Sequence, residues 1–212
     1  MTHHLDPATV VAAASGTLRR PYALLVEAHA AMCPLCRREL RAAEAVGGAL
    51  LERIEPQPVS AAARDAVMAR LGSTAAAPQA AERFEPALPA PLARLLPGGL
   101  DAVKWKRIGY GAWRHHIGEA DDAGARLVML RIAPGLTMPE HSHGGQELTL
   151  VLSGSYSDRF GRFAAGDVAD HDPEVEHQPR VDSETDCICI VALEAPTRFK
   201  GLARLLQPLI GI

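Results

Sequence analysis

The sequence predicts a two-domain α+β protein: a small helical module, a proline-rich joint, and a C-terminal all-antiparallel β-sandwich or barrel. Three observations carry this. The first seventy residues are rich in Ala and Leu at helical spacing. The stretch "STAAAPQAAERFEPALPAPLARLLPGG" holds five prolines by Pro97 and little periodicity, as a linker does. From Asp101 onward, short apolar runs recur at intervals of roughly ten residues between Gly, Pro and Asp turn signals, which favours a sandwich or barrel over any βαβ arrangement. The boundaries fall at 1–72 for the helical module, 73–91 for the joint, with its flexible part near 73–90, and 92–212 for the β domain.

The elements follow in order. "DPATVVAAASG" predicts a helix with Asp6 as N-cap, Pro7 at its first position and Gly16 beyond its end. "PYALLVEAHAAMC" predicts a second, with Ala23, Leu25, Val26 and Ala30 on a 3.6-residue period. "CRRELRAAEAVGGALLERI" predicts a third, interrupted or ended near Gly47-Gly48. "SAAARDAVMARLG" predicts a fourth, begun by Ser60 and ended by Gly72. "APLARLL" is apolar enough to dock onto the next domain. Strands are expected in "KWKRIGYGAWRHHIGE", "ARLVMLRIAPG", "QELTLVLSGSYSD", "GRFAAGDVADHD" and "DCICIVALEA". Leu24, Leu25 and Val46 suit either a core or an interface.

Composition excludes several classes. Aromatics are only 4% of the chain, so its cores rest on Leu, Val, Ile and Ala. The net charge is −3 and no dense Lys/Arg patch appears, which argues against a direct nucleic-acid surface. No apolar run approaches the roughly 20 residues that span a bilayer. "MTHHLDPATV" lacks the basic and apolar regions of a secretory signal. The expected address is therefore cytoplasmic, where four cysteines stay reduced and metal or redox roles outrank disulfides.

Two clusters carry chemistry. In "GLTMPEHSHGGQELTLVLSG", His141 and His143 are two apart, so an extended segment points both imidazoles the same way. Along "ELTLVLSG", Glu147, Thr149 and Val151 share one strand face, and Leu148, Leu150 and Leu152 the other. "EVEHQP" adds His177 thirty residues on. Two His, one Glu and a third His at a barrel mouth suit Zn, Fe, Mn, Ni or Cu. His115, His116, His171 and Met138 have no motif behind them and read as surface-turn residues.

In "HAAMCPLC", His29 and Cys33 lie four apart on one helical face, Pro34 breaks or restarts the helix, and Cys36 turns back toward Cys33. These are three ligands of a tetrahedral zinc site, which needs a fourth. His4 is the best-placed donor, and spacing alone leaves its neighbour His3 open. A redox Cys-x-x-Cys is the rival, but that motif follows a strand in a βαβ unit, and here it lies between helices. Cys187 and Cys189 share a strand face and read as buried reduced thiols.

The spacing Gly135-x5-His141-x-His143-x3-Glu147-x6-Gly154 resembles the first motif of the cupin superfamily, whose fold is a jelly roll. Of the second motif only Gly166 and His177 are in place. The resemblance implies a cupin metal held by His141, His143, Glu147 and His177. His-x3-Cys-x2-Cys on a short helical module after an N-terminal histidine resembles the zinc-binding anti-sigma domain of bacteria. Together with a C-terminal cupin, the chain is similar to the ChrR-type anti-sigma factors.

That resemblance implies a cytoplasmic regulator whose helical domain binds an extracytoplasmic-function sigma factor. The cupin would be the sensor of singlet oxygen or organic hydroperoxides, dispensable for inhibition itself. Two Zn²⁺ per chain are expected, with another divalent ion open for the cupin. The competing class is a metal-dependent cupin enzyme, a dioxygenase or isomerase with an appended zinc module. Arg131, Glu140 and Arg162 are the charges that such an enzyme would turn on a substrate, and no catalytic residue stands out.

Overall fold

The computed structural model describes residues 1–72 and 88–200; residues 73–87, the heart of the expected joint, and the last twelve of the expected β domain lie outside them. Among the described residues five α-helices come first: α1 (Pro7–Ala14), α2 (Arg20–Met32), α3 (Pro34–Leu51), α4 (Ala61–Gly72) and α5 (Ala90–Ala93). Twelve strands follow: β1 (Lys106–Gly109), β2 (Ala112–Ile117), β3 (Arg126–Ile132), β4 (His141–Ser142), β5 (Glu147–Ser153), β6 (Ser155–Asp158), β7 (Gly161–Ala164), β8 (Val168–His171), β9 (Glu176–His177), β10 (Arg180–Val181), β11 (Cys187–Leu193) and β12 (Arg198–Phe199). Among the described residues no helix is long and apolar enough to cross a membrane.

The helix ends obey local chemistry. The Asp6 carboxylate accepts the Ala8 N–H at 2.8 Å and Pro7 opens α1. The Ser60 hydroxyl accepts the Ala63 N–H at 3.2 Å and starts α4. Cys33 ends α2 and caps α3, with Pro34 as the first residue of the new helix. One expectation fails: α3 runs straight through Gly47 and Gly48 to Leu51. Each glycine costs a helix about 1 kcal/mol relative to alanine. Strong helix formers on both sides absorb that cost, and no proline is present to remove a hydrogen bond.

All strand pairings are antiparallel. A six-stranded sheet has the order β1-β2-β3-β11-β5-β8, and two three-stranded sheets, β10-β6-β7 and β12-β4-β9, close the other side. Between β5 and β6 the chain turns at Gly154, whose φ is +70°. A Cβ there would meet the Asp186 carbonyl oxygen at 2.7 Å, so glycine is required.

The central strands of the large sheet are buried on both faces, which explains the nearly continuous apolar runs of β3, β5 and β11. Leu127, Met129, Leu148, Leu150 and Ile190 form its outer face, and Val128, Val151, Cys189 and Val191 point into the barrel. The outer face carries the helical module. Tyr22, Leu25, Val26, Leu88, Leu92 and Leu96 join those sheet residues in one continuous core. "APLARLL" docks as expected, with Leu92 and Leu25 fully buried.

Polar links seal this contact. Arg19 Nε donates to Asp121 Oδ2 at 2.9 Å, and Tyr22 Oη donates to the Gln146 carbonyl at 2.5 Å. Replacing Tyr22 with Phe leaves that carbonyl without its donor. Thermal denaturation should then show a loss of about 1–3 kcal/mol.

Candidate metal centres

The first cluster is assembled by the α2–α3 junction and the N-terminal segment. His29 sits on the last turn of α2, Cys33 at the junction and Cys36 on the first turn of α3, all three fully or almost fully buried. His4 Nδ1 lies 3.4 Å from Cys33 Sγ and 3.6 Å from Cys36 Sγ, and His29 Nε2 lies 3.2 Å from Cys36 Sγ. A tetrahedral zinc with ordinary bond lengths sets nitrogen–sulfur edges of about 3.6 Å. The four donor atoms fall within 4.8 Å of one another, so these residues could hold a metal, and the donor set fits zinc.

Both cysteines are free thiols. Burial and the neighbouring Cys33 push the Cys36 thiol up to about 11, and burial, then His4, pull His29 down to about 4 against the nearby Gly166 carbonyl. A positive ion would reverse the penalty on the Cys36 thiol.

The backbone sets His3 and His4 apart. The Asp167 carboxylate accepts the Thr2 N–H at 2.7 Å and the His3 N–H at 3.2 Å. This lays the N-terminal segment along β7 and β8. His3 then stacks on Phe163, ring centroids 4.1 Å apart, with Nε2 on the Arg162 carbonyl at 3.1 Å, and His4 turns to the cysteines.

The second cluster sits in the barrel. β4 and β9 pair so that His141 stands opposite His177. The Nδ1–H groups of both are used elsewhere: His141 donates to the Pro139 carbonyl at 2.9 Å, and His177 to Asp158 Oδ2 at 2.8 Å. With those tautomers, two Nε2 lone pairs face each other at 3.0 Å. Such a pair repels unless a cation lies between, and a tetrahedral zinc sets nitrogen–nitrogen edges of about 3.3 Å. Neither ring nitrogen of His143 has a hydrogen-bond partner, and its Nε2 lies 3.3 Å from Glu147 Oε2 without hydrogen-bond alignment. Buried nitrogens left unpaired in this way fit metal ligands.

His141, His143 and His177 fall within 4.8 Å of one another; Glu147 reaches His143 but lies outside that mutual set. Its Oε1 accepts the Thr149 hydroxyl at 3.1 Å. A cavity of about 70 Å³, walled mostly by apolar side chains with Cys187 and Cys189 among them, adjoins His141, Glu147 and His177.

Residues 98–196 match the ChrR cupin-like domain family. Over 211 residues the chain is 40% identical to the anti-sigma-E factor ChrR of Cereibacter sphaeroides, covering 99% of this chain and 98% of that protein. The chain belongs to the ChrR anti-sigma factor family. Its fold superposes on the crystal structure of Rhodobacter sphaeroides SigE in complex with the anti-sigma ChrR with a TM-score of 0.80 at 36% identity, over 90% of this chain and 98% of that one.

Several residues of this ChrR family member depart from the expectations. His171 is not in a surface turn: it ends β8 opposite Glu147, is buried, and its Nε2 has no partner. His115 and His116 lie on β2 rather than in a turn, away from both clusters. Met138 lines the barrel cavity. Leu25 is core, and Val46 is exposed. Arg131 is paired with Asp186 and Arg162 with Asp182; with Glu140, neither lines the cavity. Cys187 and Cys189 are buried free thiols as expected, burial pushing Cys187 up to about 12.

Burial, then the neighbouring His177, pulls His141, His143 and His171 down to about 4, 3 and 4. The three imidazoles are therefore neutral at pH 7, with lone pairs available to an ion. Burial raises the Glu147 carboxyl.

Proposed function

We propose that this chain is an anti-sigma factor whose helical module binds an extracytoplasmic-function sigma factor and keeps it from RNA polymerase core. The observation that carries this reading is the 40% identity along virtually the whole length of an anti-sigma-E factor. A regulator of this family is not an enzyme, which sets aside the metal-dependent cupin oxygenase.

The helices supply a suitable surface. Every residue from Glu44 to Leu71 is exposed. Val46 and Leu50 are one helical turn apart on α3, and Val67 and Leu71 are similarly spaced on α4. A helix of α4's length is marginal by itself in water, and an apolar stripe with nothing over it suits a groove-and-helix contact with a partner. Replacing Leu50 and Leu71 together with Asp should weaken the sigma complex at least tenfold, read by titration calorimetry. The melting temperature should stay unchanged, because neither side chain touches the core.

In this reading His4, His29, Cys33 and Cys36 hold a structural zinc that staples the N-terminal segment to the α2–α3 junction. His141, His143, Glu147 and His177 hold a second ion, zinc or another divalent cation. When bound, that ion supplies the fixed positive charge that the buried lone pairs lack. The cytoplasm is the matching compartment, since the cysteine thiols must stay reduced.

The cupin is then the sensor of singlet oxygen or organic hydroperoxide. Damage to a ligand would reach the helices through the shared core and through the Asp167 tie to the N-terminal segment. The test is co-purification with an extracytoplasmic-function sigma factor from the same genome, with metal analysis. A one-to-one complex carrying two zincs is expected. Its absence in both partners' native buffers would sink the anti-sigma reading. Release by photosensitised singlet oxygen that is unchanged in His141→Ala would sink the sensing role alone.

A further inference from the structure

The cupin cluster extends past the motif residues. The two ring nitrogens of His177 face opposite sides, Nε2 toward His141 and Nδ1 toward Asp158. His177 is shared by two sets of three donors, each within 4.8 Å: His141, His143 and His177, and then Asp158, His171 and His177.

Two features of the second set ask for a cation. The Asp158 side chain is fully shielded from solvent, and one oxygen accepts the Phe160 N–H at 2.8 Å while the other faces His177. Among the described residues no Lys or Arg nitrogen lies within 4 Å of it, so its negative charge is met by hydrogen bonds and by no fixed cation. A buried carboxylate held by two hydrogen bonds and no fixed cation presents its negative charge to an incoming ion. His171 is 6% exposed, and its Nε2 is sealed from water without a hydrogen-bond partner. Its ring meets His177 edge-on, centroids 4.9 Å apart. Strand pairing puts it there, since β8 sets His171 against Glu147 on the inward face.

We propose that the cupin half has a second divalent-cation position formed by Asp158, His171 and Nδ1 of His177, so that the His177 ring bridges two ions. This rests on reading His141, His143, Glu147 and His177 as the first position. On loading, the Nδ1–H proton of His177 leaves to solvent and the nitrogen lone pair binds the ion; the hydrogen bond to Asp158 is replaced by ligation from the same carboxylate. Two imidazoles and a carboxylate suit Zn²⁺ or Cu²⁺. Three protein donors leave a coordination position open, and the ion must displace a proton. The position is therefore weaker and more exchangeable than the four-donor site of the helical module.

The experiment uses the full chain. Wild type, His171→Ala and Asp158→Asn are equilibrated with micromolar Zn²⁺, freed of unbound metal by gel filtration, and counted for bound zinc. Wild type should carry one equivalent more than either variant, with about one proton released on its uptake. Asp158→Asn is nearly isosteric, so it answers the question even where His171→Ala folds poorly. Equal uptake by wild type and Asp158→Asn overturns the second position and leaves Asp158 as a carboxylate that only orients His177. A His141→Ala/His143→Ala variant separates the two readings: if it holds as many ions as wild type, the first position is wrong, whatever the other variants do.

Discussion

Replacing Cys36 with alanine should strip the ion from the N-terminal cluster and unfold most of the helical module. Cys36 is fully buried between His29 and His4, so no other donor can swing in to replace its sulfur. A structural zinc in a small module contributes about 10–16 kcal/mol of apparent binding free energy, all of it folding free energy. Whole domains are stable by about 5–15 kcal/mol, so losing one of two thiolates removes as much as the module has.

The alternatives inside the module are weak. α1 and α3 bury few side chains, chiefly Val10 and Cys36, and α2 survives through its packing on the sheet. Native mass spectrometry should therefore show one metal fewer, with helical circular dichroism falling. Sigma binding should vanish, because the α3–α4 surface depends on the junction. The barrel, with its own core and donors, should keep its ion. A variant with its full metal content and an unchanged melting curve would falsify the staple.

What could be read ahead of the structure was whatever depends on neighbours in sequence. His29, Cys33 and Cys36 are fixed by helical spacing and one proline, and His141 with His143 by the two-residue period of an extended chain. The jelly-roll pattern was legible because turn residues punctuate it. His171 was not, because it enters the barrel only through the pairing of β8 with β5, a register between distant segments. The same holds for the turning of His4, rather than His3, toward the cysteines, since two backbone N–H bonds to Asp167 hold that segment.

The docking of the helices on the sheet left one trace in the sequence. α2 buries Tyr22, Leu25, Val26, Ala28 and His29, a spread too wide for a single-faced surface helix. That spread is the mark of an element packed on two sides: against α3 and the N-terminal segment on one, and against β3, β5 and β11 on the other.

Mild acid should destabilise the protein steeply. His29, His141, His143 and His171 are held near 4, 4, 3 and 4 in the folded chain, burial being the largest cause in each. An unfolded histidine titrates near 6.5. Above that value neither state binds the proton and the folded state keeps its full stability. As the pH falls toward 4, the unfolded chain takes up protons that the buried rings refuse, so stability is lost across that window. Each ring contributes about 1.4 kcal/mol per pH unit, and four together about 5.5.

Ions held at the two clusters would steepen the loss, because protons compete for the same lone pairs, so metal release and unfolding should then coincide. Asp121, held down to about 2 first by its hydrogen bond to Arg19, responds only at lower pH, while Glu147, raised by burial, takes up its proton more readily when folded and opposes the loss. Melting temperature followed from pH 7.5 to 5 with the metal count should fall throughout the lower half of that range. A flat profile would mean that the rings are not buried as neutral bases. Replacing His171 with Phe, which keeps an aromatic ring of similar size but removes one titrating nitrogen pair, should lower the slope by about 1.4 kcal/mol per pH unit. An unchanged slope would place the acid sensitivity in the other three rings.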